Sequence, residues 1–185
     1  ILFALRQYHE EYGKYPPPII VSNGLCHSWR AAILPYFEIQ DYRMNEPWNS
    51  SWNYNLAKKV SSVFRCPHER KNDKDILTSY CMIVPNDSSI NLAGENDILE
   101  KSSVLIVEAY NTGIPLLSPN DIKLEQVLLG PRQPNNNKET ILIGGIHKYS
   151  DEQGQEGIFF VGDKDGTIRK LSYRNSTEEI LQCEK

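Results

Sequence analysis

The apolar pattern changes its period near Ile76, and that change restricts the chain to a mixed helix-and-sheet fold. Before it, apolar residues recur at helical spacing. After it, the apolar runs are short, rich in Ile, Val, Phe, Tyr and Thr, and bounded by turn residues. Residues 1–12, ILFALRQYHEEY, read as the end of an amphipathic helix with Leu2, Leu5, His9 and Tyr12 near one face. Gly13 suits its C-terminal cap, and Pro16-Pro17-Pro18 prevents the helix from resuming. Ser28 is placed to cap a short helix over 29–34 that Pro35 cuts, and Asn49-Ser50-Ser51 to cap another over 52–60. Strands are expected at 76–84, 103–110, 139–143, 157–162 and 167–172. Ser118-Pro119-Asn120-Asp121 combines a Ser cap, a proline at the first helical position and an acid two residues on. It predicts a helix running to about Leu129 and ending at Gly130, and Ser176-Thr177-Glu178-Glu179 repeats that logic. The order predicts an α+β class in one domain over 1–185: helix end at 1–12, a helical and loop segment at 13–75, and a β-rich part with short helices at 76–185. Segments 131–138 and 148–156 are polar enough to be surface loops.

A chain of 185 residues can bury a sizeable core without metals or disulfides. Its net charge of −4, with 20 scattered Lys and Arg, lacks the basic face that nucleic-acid binding needs. No run approaches the ~20 apolar residues of a membrane span. The first helix has no capping residue before it, so it reads as the end of a longer helix. Cys26, Cys66, Cys81 and Cys183 allow two disulfides in three pairings. Cys26-His27 with Cys66-Pro67-His68 offers two sulfurs and two imidazoles, but without the paired knuckles of a structural zinc site; buried thiols or disulfides are the better reading.

Several stretches carry a family resemblance in order along the chain. Leu5 to Pro17 (LRQYHEEYGKYPP), Ser28-Trp29-Arg30 with Leu34-Pro35-Tyr36-Phe37-Glu38, and Asn45-Glu46-Pro47-Trp48-Asn49-Ser50 with Asn53 and Leu56 are the first three. Val63-Phe64-Arg65-Cys66-Pro67, Thr78-Ser79-Tyr80, 104–108, Pro119-Asn120-Asp121-Ile122, and His147 with Asp165-Gly166 complete the series. Together they resemble the prepilin-like proteins of unknown function abundant in planctomycete bacteria. The resemblance implies a type IV pilin-like architecture: an N-terminal helix, anchored in the membrane through an apolar part preceding this sequence, packed on a largely antiparallel sheet. It marks His147, Asp165, Gly166, Cys66, Pro67 and Glu108 as family-motif residues, and an upstream cysteine as the partner of Cys66. Here the His147-to-Asp165 interval is longer than the family's, which reads as a loop insertion at 148–156, and Leu116 replaces a usual Trp.

Gly162-Asp163-Lys164-Asp165-Gly166-Thr167 is the sharpest local motif. Asp163 and Asp165 alternate as in the start of a calcium loop, but no bidentate Glu follows at the twelfth position, and a hairpin turn explains the same residues. Because major pseudopilins bind calcium in a C-terminal loop, the resemblance keeps calcium as a candidate ligand. His147 with Asp165 could serve acid–base chemistry, yet no partnered nucleophile accompanies them, and His147 reads as a sheet-edge residue. Glu108 is a candidate partner for a cation or a backbone donor. Trp29, Trp48 and Trp52 read mainly as core, with Trp52 the most exposed; Trp48 and Trp52 are the candidate binding surface. The Asn-x-Ser/Thr matches at Asn49, Asn86 and Asn175 read as caps and turns. The expected function is that of a non-enzymatic, extracytoplasmic, pseudopilin-like component of a type II secretion or type IV pilus-like system, its partners other pilin-like subunits. The alternative is a surface module binding carbohydrate or another envelope polymer.

Overall fold

Gly13 adopts the left-handed conformation (φ 70°) and its N–H reaches His9 O, closing helix α1 at Leu2–Tyr12 as the Gly-Pro punctuation requires. The computed structural model describes residues 1–67, 76–84, 102–110, 112–128, 142–143, 158–172 and 179. The chain divides into two compact units, one of residues 1–78 with 113–120, the other of residues 79–112 with 121–185. The described architecture is α+β, with an antiparallel main sheet.

In the first unit α1 buries Leu2, Ala4 and Leu5. His9 and Tyr12, expected on that face, are exposed instead: His9 lies against the ring of Tyr15 (4.6 Å between centroids) and Tyr12 against Tyr8 (4.5 Å). Only the first turn and a half of the helix faces the core, so the apolar stripe stops before its end. Tyr36 Oη donates to Glu11 Oε2 at 2.7 Å from the 3₁₀ turn Leu34–Phe37. A two-stranded hairpin follows α1, β1 (Ile19–Ser22) and β2 (Leu25–Ser28), in register from Ile19 opposite Ser28 to Ser22 opposite Leu25. No strand is expected there from the apolar pattern. Asn23 (φ 52°) and Gly24 (φ 76°) form the two-residue left-handed turn that suits a hairpin, and the Asn-Gly pair was its signal.

Ser28 caps α2 (Trp29–Ala32), its Oγ accepting from Arg30 N at 3.2 Å, and Pro35 falls in the succeeding 3₁₀ turn, as expected. Ser50 caps α3 (Ser51–Phe64) by accepting from Asn53 N. This helix runs one turn beyond the expected 52–60 because Phe64 extends its buried stripe of Asn53, Leu56, Ala57 and Val60. Phe64 meets Trp29 and Phe37 edge-on at 6.4 and 6.1 Å; Phe64 and Trp29 are fully buried and Phe37 half-buried, so the pair sits in the core with Phe37 at its edge. Leu116 and Leu117, from the returning segment, are fully buried in the same unit. That segment is tied down by Thr78 N to Ile114 O and Leu116 N to Ile76 O.

The second unit is built on β5 (Val104–Tyr110), whose residues from Val104 to Ala109 are all buried, as a central strand requires. The sheet runs β3 (Tyr80–Cys81), β5, β8 (Ile158–Asp163), β9 (Ile168–Ser172), with β7 (Leu142–Ile143) also paired to β5. All these pairings are antiparallel. The expected helix from Pro119 is corrected. Ile122–Lys123 instead forms strand β6, parallel to β4 (Ile83–Val84), and among the described residues of that stretch Leu124–Leu128 is helical (α4). Asp121 Oδ1 accepts from Met82 N at 2.9 Å, so the acid expected in a helical first turn serves strand pairing. Ser118 Oγ accepts from Asn120 N in a local turn rather than capping the helix. The expected loops at 131–138 and 148–156 lie outside the described residues, as does the C-terminal helix apart from Glu179.

Candidate functional site

A cluster of exposed aromatic and charged side chains lies where the irregular segment 39–50 meets the start of α3. Asn53, fully buried, clamps that segment through both ends of its amide. Nδ2 donates to Arg43 O at 3.0 Å and Pro47 O at 2.9 Å, while Oδ1 accepts from Arg43 N at 3.0 Å. Trp52 is 46% exposed, and its Nε1 donates to Asp41 O at 2.7 Å. Over one face of the indole, 3.6 Å from the ring centroid, lies the Arg43 guanidinium, which also pairs with Glu46 Oε1 at 2.7 Å. Bonds from Arg43 and Ser50 hold the Glu46 carboxyl below its usual range. Tyr54, also exposed, carries Lys58 over its ring at 4.7 Å. Two positions apart on a helix point away from each other, so Trp52 and Tyr54 form two separate aromatic–cation pairs, not one platform. Trp48 is half-buried and Trp29 wholly buried.

Beneath the same segment, His27 on β2 is fully buried and its Nδ1 bonds the Tyr42 hydroxyl at 2.7 Å. Burial pushes the imidazole below its ordinary value and the phenol above its own. Adjacent strand residues face opposite ways, and Cys26 is accordingly exposed while His27 is buried, so the two do not converge on a metal.

In the second unit the Gly162-to-Thr167 motif forms the β8–β9 turn. Gly166 N–H bonds Asp163 O, Gly166 takes φ 94°, and Asp165 Oδ1 accepts from Thr167 N at 2.8 Å. Asp163 is buried, and its carboxylate accepts from Arg169 Nη2 and from Ser103 Oγ, both at 2.9 Å. Arg169 Nε completes a two-point ion pair with Asp163 Oδ2. Asp163 therefore joins Ser103, the residue before β5, to Arg169 of β9 through its side chain, whereas Asp165 stays exposed at the tip. Among the described residues no three His, Cys, Asp or Glu side chains are grouped to hold a metal ion.

A family model for proteins of unknown function, DUF1559, matches residues 1–104. The chain belongs to the DUF1559 family. No curated protein and no solved structure matches it. Within this DUF1559 protein the described motif residues are divided between the units, Cys66 and Pro67 in the first and Glu108, Asp165 and Gly166 in the second. Cys66 is buried just after α3, with Pro67 exposed beside it. Glu108 is buried within β5, not at its end, and its Oε2 accepts from Phe160 N at 3.1 Å, so the carboxylate takes a backbone donor of the neighbouring strand. His147 lies outside the described residues. The clamp residue Asn53 and the bonded pair His27–Tyr42 were not singled out as functional from sequence. A polar residue inside the apolar stripe of α3 was the legible signal for Asn53. Nothing local distinguishes Tyr42 from the chain's other tyrosines.

Proposed function

We propose that this DUF1559 protein is a non-enzymatic, pilin-like component of the cell envelope, a structural or assembly subunit of a type II secretion or type IV pilus-like system. The observation that carries the reading is the order of its parts: helix α1, buried along one face only, precedes an antiparallel sheet built on β5. In the full-length protein an apolar helix continuous with α1 anchors the chain, and assembly packs such helices side by side. Phe3, 72% exposed on α1, is then a subunit contact. The test is fractionation of the full-length gene product, with Phe3→Cys introduced in a Cys26→Ser background. The expected result is carbonate-resistant membrane association and an oxidation-dependent dimer. A full-length product recovered wholly with soluble proteins would overturn it. No helix among the described residues is long and apolar enough to cross a membrane.

The half-exposed ring of Trp52 favours a second reading, a surface module that stacks on sugar rings of an envelope polymer. Glycan-array binding that disappears in Trp52→Ala supports it; an array without binding removes it.

A further inference from the structure

We propose that the His27–Tyr42 bond is an acid-released latch, which holds residues 39–42 against β2 near neutral pH and lets them go in mild acid. Segment 39–50 is held by anchors of different chemistry. The Asn53 amide grips residues 43–47 through three carbonyls or amides, none of which titrates. Residues 39–42 are held by the Ile39 N–H on Leu34 O, by Asp41 O accepting from Trp52 Nε1 and by Tyr42. Of these only the last contact involves a group that titrates in mild acid, for the Tyr42 hydroxyl bonds His27 Nδ1 and its ring meets the imidazole edge-on at 5.6 Å.

The imidazole is buried, and its Nε2 has no hydrogen-bond partner among the described residues. In either neutral tautomer that nitrogen is left unsatisfied, as a bare lone pair or an idle N–H. Protonation would put a full positive charge on the buried ring and oblige Nε2 to donate where no acceptor among the described residues meets it in hydrogen-bonding geometry. Released from Tyr42, the ring would meet solvent and take the proton freely.

Among the described residues no charged side chain offsets this. The Met44 backbone pulls toward protonation, but burial outweighs it and no carboxylate or cation contributes. From β1, the residue opposite is Ile20. From α2, Arg30 is turned to Ser28 Oγ and the Trp29 ring. On the segment itself, Arg43 and Glu46 are paired with each other and Glu46 keeps its charge in mild acid, while Tyr42 stays protonated. The sign follows. The released form binds a proton more readily than the latched form, so latching is complete above the ordinary histidine value of about 6.5 and weakens below it. Each pH unit below that value shifts the latched-to-released ratio by up to roughly tenfold, until the latched imidazole itself titrates.

Release has a local reporter, because Trp52 Nε1 donates to Asp41 O, inside the latched stretch. The Trp52 indole N–H resonance, assigned by its loss in Trp52→Phe, is followed by NMR from pH 7.5 to 5. It is expected to move toward the position of a free indole with a midpoint below 6.5, while the Arg43 amide, held by Asn53, stays in place. An unmoved indole resonance overturns the proposal. So does movement shared with α1 amides, which would report general unfolding, or the same movement in His27→Gln. Should His27→Gln fail to fold, carbon-13 titration of the wild-type imidazole decides: a His27 midpoint at or above 6.5 overturns the latch.

Discussion

Single residues in this protein do structural work through polar groups placed where apolar ones would pack. Asn53 sits in the buried stripe of α3 and spends its amide on the 39–50 segment. Asn53→Ala strands the Arg43 N–H and two carbonyls, so a loss of about 2–3 kcal/mol is expected in urea unfolding, with the indole environment of Trp52 changed. Asp163 is the corresponding residue of the second unit. Asp163→Ala leaves the Arg169 guanidinium and the Ser103 hydroxyl facing a gap, and should cost about 3 kcal/mol by the same measurement. Calcium added to the wild type is expected to leave its melting temperature unchanged, since Asp163 is already neutralised by Arg169; a calcium-dependent rise would show that Asp165 and its neighbours recruit the ion. The sequence showed the Asp-Gly turn clearly because that chemistry is local. The partner of Asp163 was not legible, since Ser103 lies 60 positions away and Arg169 across a hairpin.

At the level of elements, what could be read from sequence was whatever a short stretch decides by itself. Gly13 stops α1, Ser28 and Ser50 start α2 and α3, and the long β-rich runs at β5, β8 and β9 fell within a residue or two of their observed ends. The failure at Pro119 has a different cause. Its capping pattern was correct as chemistry, but Asp121 and Ile122 gain more from Met82, 39 positions upstream, than from a first helical turn. Pairing with a remote strand overrode local preference. The β1–β2 hairpin tests the opposite case, a turn held by backbone conformation alone. A Cβ on Gly24 meets no neighbouring atom, so Gly24→Ala should cost about 1 kcal/mol through the positive φ and nothing through packing. Thermal melts of Gly24→Ala and of Gly24→Asn separate the two, with Asn recovering part of the loss because it tolerates that conformation.

For the molecule as a whole, membership in DUF1559 and the α+β architecture place the chain without naming a reaction. The motif residues explain why. Glu108, Cys66 and Asp163 are each buried and Asn53 is a clamp, so these residues maintain a framework, while the motif residues Pro67 and Asp165 are exposed. Among the described residues, the large apolar side chains with surface left over include Trp52, Tyr54 and Phe3, as well as Tyr12, Ile19, Val21 and Ile168. Sequence could mark Trp52 as the outermost tryptophan, but the Arg43 stack above it depends on the Asn53 clamp, a contact between an irregular segment and a helix that no periodicity encodes.

The return of residues 113–120 to the first unit has a practical consequence for anyone cutting this gene. Sequence similarity to the family runs from residue 1 to 104, yet a fragment ended there would omit Leu116 and Leu117, two side chains sealed inside the first unit. The unit of inheritance and the unit of folding have different edges. A shortened version of the first unit would need those eight residues spliced back onto Thr78, where the Ile114 carbonyl is already waiting for its amide.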